Sequence, residues 1–220
     1  NSTALDYYVT FDSRAAGASQ AQYIVDRATG KGNSLYLYAG AATDPNTFIL
    51  FQGAWDVLQP KIADGTFVIK NSSEAVALQD KSSLTRDEMA QIISQVTTSW
   101  DANTARILAE SDLHDASKAD KGDVFILAPN DNTARAIGEV FDADEHVKNY
   151  VITGMDAEKA SVQSILDGKQ SMTVFKDVRI LVQTAVEAAL ALLKDESPKV
   201  GTTYNNGMID VPGLESPVSL

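Results

Sequence analysis

The stretch "ILAPNDNTARA", residues 126–136, changes from apolar to polar within one step. Its first three residues are apolar and are typical of a buried strand. Four hydrogen-bonding side chains come directly after Pro129: Asn130, Asp131, Asn132 and Thr133. Apolar residues at helical spacing then follow from Ala134. We therefore predict a strand, a polar loop and a helix in succession.

The same succession recurs along the chain. Strand-like runs lie at residues 6–11, 34–39, 66–70, 123–128 and 149–153. Helical patterns separate them, with apolar residues three and four positions apart. Such alternation is typical of βαβ units built around a parallel sheet. The sequence therefore predicts an α/β fold, a three-layer αβα arrangement with a mostly parallel sheet.

Local signals mark several element boundaries. Thr85 followed by Glu88 predicts a capping box at the start of a helix. Gly168 is typical of the end of a helix that begins near Asp156. Trp55 lies on the apolar stripe of the helix before Pro60, so we expect it in the core.

The C-terminal part contains a long apolar helical pattern at residues 177–194. It is apolar on most of its circumference, which predicts burial on more than one side. Its apolar run is too short to span a bilayer, which takes about 20 residues. The turn-rich segment beyond it holds one strand candidate, residues 208–211.

Composition excludes several classes of partner and chemistry. The formal net charge of −12 repels nucleic-acid phosphate and anionic lipid, and no Lys/Arg cluster reverses it locally. We therefore expect no nucleic-acid partner. The 220 residues contain no cysteine, which excludes disulfides, thiolate catalysis and zinc-thiolate sites.

Enzyme and cofactor motifs are weak throughout the sequence. Neither His114 nor His146 follows a predicted strand, and no G-x-S-x-G motif accompanies them. The glycines of residues 30–34 precede a strand instead of linking a strand to a helix, so they do not form a phosphate loop. The acidic segment 111–123 lacks the ligand spacing of a calcium loop. We predict no catalytic residue, no metal and no cofactor.

Polar side chains instead follow the predicted strands. In a parallel α/β sheet, ligands bind beyond the carboxyl ends of the strands. The residues found there are Asp12, Ser13, Asn46, Glu74, Asn130, Asp131 and Asp156, with Lys176 after a further short run. Carboxylate and amide groups can engage adjacent hydroxyls, and a lysine can donate to a ring oxygen. This edge therefore predicts a site for a neutral polyol such as a sugar.

Each of these residues also has a simpler explanation. Asn130 and Asp156 can each cap the helix that follows, because Asn and Asp lead the N-cap preferences. A single lysine such as Lys176 is more often solvated on the surface. Trp100 follows a helix, and the sequence leaves open whether it stacks on a ligand.

Four longer motifs stand out: "YYVTFDS", "GAATDPNTFILFQGAWDVLQP", "LAPNDNTARAIGEV" and "ITGMDAEKASVQSILDGKQSMTVFKD". Together they resemble motifs of the periplasmic sugar-binding proteins of ABC transporters, which have the type I fold. The resemblance is strongest to the D-xylose-binding and multiple-monosaccharide-binding members. The resemblance implies sugar contacts at Asp12, Asn130, Asp156 and Lys176. It implies a supporting role for Asn46, and we expect Ser13, Glu74 and Asp131, which also follow predicted strands, to support the same site.

The sequence departs from the family pattern at two of these places. Ser13 stands where the pattern has Asn, and Asp177 replaces a Pro. The segment after the third predicted strand also lacks a clear counterpart of the family's sugar-stacking Trp. The identity of the sugar is therefore open.

The resemblance also implies a domain organisation. Members of this family have two lobes joined by three crossovers, and residues 1–175 resemble the C-terminal sugar-binding lobe. Residues 176–199 then correspond to a crossover and a helix of a missing N-terminal lobe, and residues 200–220 to a return segment and truncated tail. We expect a dimer or a swap through the helix at 177–194, because its partner lobe is absent.

Partners and location follow from the same resemblance. It implies a monosaccharide ligand, the transmembrane subunits of an ABC permease, and an extracytoplasmic location, either periplasmic or lipid-anchored. The alternative is the effector domain of a LacI-type repressor or of a sugar-sensing signalling protein, which share the fold.

Overall fold

The computed structural model describes residues 4–205 and 209–220, which form two compact units. The large unit is Ser13–Phe175, and the small unit joins the residues up to Asp12 with Lys176–Ser219. The family resemblance places residues 1–175 in one lobe, whereas in the structure the segment before Ser13 belongs to the small unit. The reason is strand pairing, described below.

The strands are β1 (Tyr8–Phe11), β2 (Asn33–Leu37), β3 (Phe67–Ile69), β4 (Asp123–Leu127), β5 (Asn149–Ile152), β6 (Thr202–Asn205) and β7 (Asp210–Ser216). The helices are α1 (Ser13–Val25), α2 (Pro45–Ala63), α3 (Ser73–Ala77), α4 (Arg86–Val96), α5 (Ala102–Asp115), α6 (Asp131–Ala143), α7 (Lys159–Leu166) and α8 (Val178–Leu193).

The large unit is built on a four-stranded sheet in the order β3-β2-β4-β5, with every pairing parallel. Successive residues of β2 point to opposite faces, so Leu35 and Leu37 pack with α1, α2 and α4. Tyr36 instead packs with α5 and α6 on the other face. Both faces of the sheet are covered by helices, which confirms the predicted three-layer αβα arrangement.

Most of the local features predicted for the large unit are present in the structure. The capping box is present, because Thr85 accepts from the backbone of Glu88 and Glu88 accepts from the backbone of Thr85. Trp55 is buried and its Nε1 donates to the carbonyl of Lys81 over 3.0 Å. Helix α7, however, begins three residues after Asp156, and its N-cap is Glu158.

The small unit contains a separate three-stranded sheet in the order β1-β7-β6. β1 pairs in parallel with β7, and β6 pairs antiparallel to it. The prediction that the first strand joins the main parallel sheet is therefore wrong. Its pairing partner lies some 200 positions further along the chain, and no local sequence pattern indicates this pairing. The strand candidate at 208–211 overlaps β7, although Met208 lies outside the described residues.

Helix α8 of the small unit matches the predicted boundaries at 177–194 to within one residue. It packs against β1 and β7, yet Ala188 is its one buried residue. Val178 and Leu193 are 62% and 82% exposed, so the expected burial on several sides is not found within the described chain. Across residues 4–205 and 209–220, no helix is both long and apolar enough to cross a bilayer.

Candidate functional site

Asn130 lies directly beyond β4, at the N-cap position of α6. It is buried, and its side chain makes no capping hydrogen bond to the helix backbone. Its Oδ1 instead accepts from the hydroxyl of Thr133 over 2.6 Å. Within residues 4–205 and 209–220, its Nδ2 has no hydrogen-bond partner. Asn130 therefore occupies the capping position without a side-chain capping bond, and its amide group can donate to a ligand.

Asp156 lies beyond β5, in the next strand-to-helix loop. Its backbone φ is 104° and that of Ala157 is 51°, values that residues other than Gly rarely adopt. The backbone N–H of Asp156 donates to the carbonyl of Val174 over 2.9 Å, and its side chain is exposed. Since Glu158 is the N-cap of α7, Asp156 does not occupy the capping position that the sequence allowed for it.

Asp131 connects these two loops. It is fully buried, and its backbone N–H donates to the carbonyl of Met155 over 2.9 Å. Its Oδ2 accepts from the backbone N–H of Glu158 over 2.8 Å, and its Oδ1 accepts from Nε2 of Gln170 over 2.9 Å. Burial raises the pKa of Asp131 above its ordinary value, against the opposing effect of these hydrogen bonds. The structure therefore brings Asn130, Asp131 and the Asp156 loop together.

Trp100 lies near the end of β2, and the sequence alone does not decide its role. The residues before it extend that end of the sheet, because Thr97 forms a bridge with Ala39. Its Nε1 donates to Oδ2 of Asp44 over 3.1 Å, and Nδ2 of Asn132 donates to its carbonyl over 3.2 Å. The half-buried indole is thus fixed at the same edge as Asn130, which makes it a candidate surface for stacking.

Two features could have drawn attention to Trp100. Ser99 and Trp100 both adopt left-handed backbone conformations, with φ of 53° and 61°, a strain that concentrates at functional sites. A Cβ on Gly40 would lie 2.1 Å from the indole ring, so only glycine fits beneath it. Of these two features, only the presence of Gly40 can be read from the sequence, since the backbone conformation is known only from the structure.

Three of the predicted supporting residues lie at helix starts. Asn46 is in the first turn of α2, where its backbone N–H donates to Oδ1 of Asp44 over 2.9 Å. Glu74 is in the first turn of α3, and its backbone N–H donates to Oε1 of Gln95 over 3.2 Å. Ser13 is the first residue of α1. In the described parts of the chain, none of the three makes a hydrogen bond to Asn130.

Asp12 and Lys176 belong to the small unit. The backbone N–H of Asp12 donates to the carbonyl of Ser216 over 3.0 Å, which continues the pairing of β1 with β7. Nζ of Lys176 lies 5.9 Å from the centre of the Phe11 ring. Because β1 is not part of the large sheet, the sheet-edge argument does not group Asp12 with Asn130. Their shared role rests on the family resemblance.

The arrangement is suited to binding without covalent chemistry. Asn130 offers amide donors, Asp156 offers carboxylate acceptors, and Trp100 offers an aromatic surface. Across the two described ranges, no group of three or more His, Asp or Glu side chains is arranged to hold a metal ion.

Comparison with known protein families decides the assignment. A model described as "Periplasmic binding protein domain" matches residues 1–197. This chain belongs to the periplasmic binding protein family. The resemblance inferred from the sequence motifs is thereby confirmed at the level of the family.

Individual periplasmic binding proteins are similar over the whole chain. The multiple sugar-binding periplasmic receptor ChvE of Rhizobium radiobacter is 33% identical, over 100% of this chain and 60% of that protein. The D-xylose-binding periplasmic protein of Escherichia coli is 28% identical, over 100% of this chain and 59% of its own length.

A solved structure is similar at higher identity. It is a carbohydrate transporter solute binding protein from Chloroflexus aurantiacus, in complex with D-glucose. The match has a TM-score of 0.96 and 68% identity, and covers 100% of this chain and 64% of that one. The chain therefore spans about three fifths of the length of the periplasmic binding proteins that it matches.

Proposed function

We propose that this chain is part of a solute-binding protein that captures a monosaccharide outside the cytoplasm and delivers it to the transmembrane subunits of an ABC importer. The observation that carries the proposal is that Asn130 and Asp156 lie in two strand-to-helix loops at one sheet edge, which the buried Asp131 joins through hydrogen bonds to Met155 and Glu158. Sugar binding of this kind needs no catalytic group, and the proposed protein is not an enzyme.

The ligand is proposed to be an aldohexose such as D-glucose, with D-xylose as the related pentose. The support is that the 68% identical relative was solved with D-glucose, and that two other relatives are described as binding multiple sugars and D-xylose. Adjacent equatorial hydroxyls would donate to Asp156 and accept from the Nδ2 of Asn130. The C–H face of the sugar would lie on the indole of Trp100.

The remaining site residues are proposed from the family resemblance. Asp12 and Lys176 would supply further contacts to the sugar hydroxyls and ring oxygen. Asn46, Glu74 and Ser13 would support the loops around it, as proposed for Asp131 below. The large unit would correspond to the C-terminal lobe, and the helix α8 to a segment that packs with the N-terminal lobe.

Isothermal titration calorimetry on the native polypeptide that carries this chain tests the proposal. The titrants are D-glucose, D-xylose, D-galactose and D-ribose, with mannitol as an open-chain polyol control. We expect heat and saturation with at least one of the cyclic sugars and none with mannitol. An absence of heat with every sugar would contradict the proposal.

Variants locate the site in the same experiment. Asn130→Ala is expected to weaken sugar binding at least tenfold, about 1.4 kcal/mol, because a donor is lost from a buried position. Asn149→Ala is the matched control, since Asn149 lies at the opposite end of the sheet and donates to Asp123 over 2.8 Å. Its affinity is expected to equal that of the wild type.

A further inference from the structure

The buried carboxylate of Asp131 serves two segments that are far apart in sequence. Its Oδ2 accepts from the backbone of Glu158, two residues after Asp156. Its Oδ1 accepts from Gln170, whose Nε2 also donates to the carbonyl of Met172 over 2.9 Å. One side chain therefore fixes both the Asp156 loop and the segment that leads along the chain to Lys176.

The Asp156 loop depends on these contacts for its shape. Asp156 and Ala157 are both in the left-handed region, which costs free energy that the surroundings must offset. Ala157 donates its N–H to Oγ1 of Thr173 over 3.0 Å, so the 170–175 segment forms the other side of the loop. A Cβ on Gly154 would lie 2.3 Å from Oδ1 of Asp131, which shows how closely the loop approaches the carboxylate.

The chemistry of this position calls for a carboxylate. Both of its oxygens face N–H donors, and an ionised carboxylate presents acceptors on both sides. An amide of the same shape has one acceptor and one donor group. It would place N–H against N–H at either Glu158 or Gln170 and leave a buried donor without a partner.

We propose that Asp131 is a positioning residue for sugar binding, which holds Asn130, the Asp156 loop and the 170–175 segment in the arrangement that receives the ligand. The inference rests on the proposed function. Asp131 itself does not touch the sugar: it acts through the residues on either side of it.

The test is the variant Asp131→Asn in the native polypeptide, titrated with the sugar that binds most tightly to the wild type. Affinity is expected to fall roughly tenfold, on the scale of one lost buried hydrogen bond. The backbone amide proton of Glu158 is expected to shift upfield in NMR spectra, since its charged acceptor is lost.

The matched control is Asp144→Asn at the opposite end of α6. Asp144 also accepts two hydrogen bonds, from Nζ of Lys121 and from the backbone N–H of His146, each over 2.9 Å. Its removal is expected to lower thermal stability while sugar affinity stays at the wild-type value. An equal loss of affinity in both variants would mean that Asp131 acts on stability alone and would overturn the proposal.

A second variant tests the hydrogen-bond logic directly. It combines Asp131→Asn with Gln170→Glu. The amide nitrogen at position 131 can then donate to the carboxylate at position 170, while the amide oxygen at position 131 accepts from the backbone N–H of Glu158. Affinity is expected to recover in part, because the bond from residue 170 to Met172 is lost. Should Asp131→Asn fail to fold, Gln170→Met removes one donor to Asp131 and is expected to lower affinity in its place.

The outcomes separate the two proposals. Wild-type protein that binds no sugar contradicts the proposed function and this inference with it. Wild-type protein that binds sugar, together with Asp131→Asn at unchanged affinity, overturns the inference and leaves the proposed function intact.

Discussion

The indole of Trp100 and the carboxylate of Asp44 are joined by a 3.1 Å hydrogen bond, and the same carboxylate caps α2. One acidic side chain thus fixes the plane of the ring and the start of a helix. Because Gly40 lies directly beneath the ring, the indole is held from below and from one edge. This leaves the ring in a fixed position, which lowers the entropic cost of stacking a ligand on it.

Gly40→Ala is expected to weaken sugar binding about tenfold, or about 1.4 kcal/mol. The added Cβ would lie 2.1 Å from the indole, so the ring must move. Calorimetry measures the affinity, and the tryptophan emission spectrum reports the displacement. Gly122→Ala is the control, since a Cβ there meets no atom within 4 Å. Unchanged affinity in Gly40→Ala would show that the ring position does not matter for binding.

Gly53→Ala is expected to destabilise the fold by about 3 kcal/mol, the upper range for overpacking. Helices α1 and α2 approach at Gly17 and Gly53, and a Cβ on Gly53 would lie 2.0 Å from the carbonyl oxygen of Arg14. Urea denaturation measures the free energy of unfolding. The same measurement on Gly122→Ala should give a value close to that of the wild type. A loss below about 0.5 kcal/mol in Gly53→Ala would mean that the helices separate without strain.

These contacts mark the limit of what the sequence predicts. The parallel sheet, the capping box at Thr85 and the polar residues after β4 and β5 follow from local patterns, and the structure contains them. The pairing of β1 with β7 does not, because it joins segments at opposite ends of the chain. The position of Trp100 also escapes prediction, since it depends on Asp44 and Gly40, which approach it only after the sheet has formed.

The carboxylate of Glu88, which belongs to the capping box, is expected to make stability depend on pH. A hydrogen bond from Lys81, aided by those from Thr85, lowers the pKa of Glu88 to about 2. A carboxyl with a lowered pKa stabilises the fold above its ordinary pKa of 4.5 and loses that contribution as pH falls toward about 2. Urea denaturation between pH 6 and about pH 2 should show a steeper fall in stability for the wild type than for Glu88→Gln.

Glu145→Gln is the control for this series, because the Glu145 side chain is 86% exposed. Its stability should follow the wild-type pH dependence. Identical pH dependence in the wild type and Glu88→Gln would contradict the assigned role of the Glu88 carboxylate.

Helix α8 is expected to make the isolated 220-residue chain self-associate. Its exposed apolar residues include Val182 and Leu190, and such surfaces are normally covered in soluble proteins. Sedimentation velocity should show dimers or larger species whose fraction grows with concentration. The double variant Val182→Lys and Leu190→Lys should shift the population to monomer, whereas Gln183→Lys on the same helix should not. A wild-type chain that stays monomeric at high concentration would count against an association through α8.

The central claim, that Asn130 and Asp156 receive a sugar, is tested most directly by a crystal structure of the native polypeptide grown with D-glucose. The account predicts sugar hydroxyls within about 3 Å of Nδ2 of Asn130 and of the Asp156 carboxylate, with the ring against Trp100. A sugar bound at any other place, with Asn130 and Asp156 facing solvent, would contradict it.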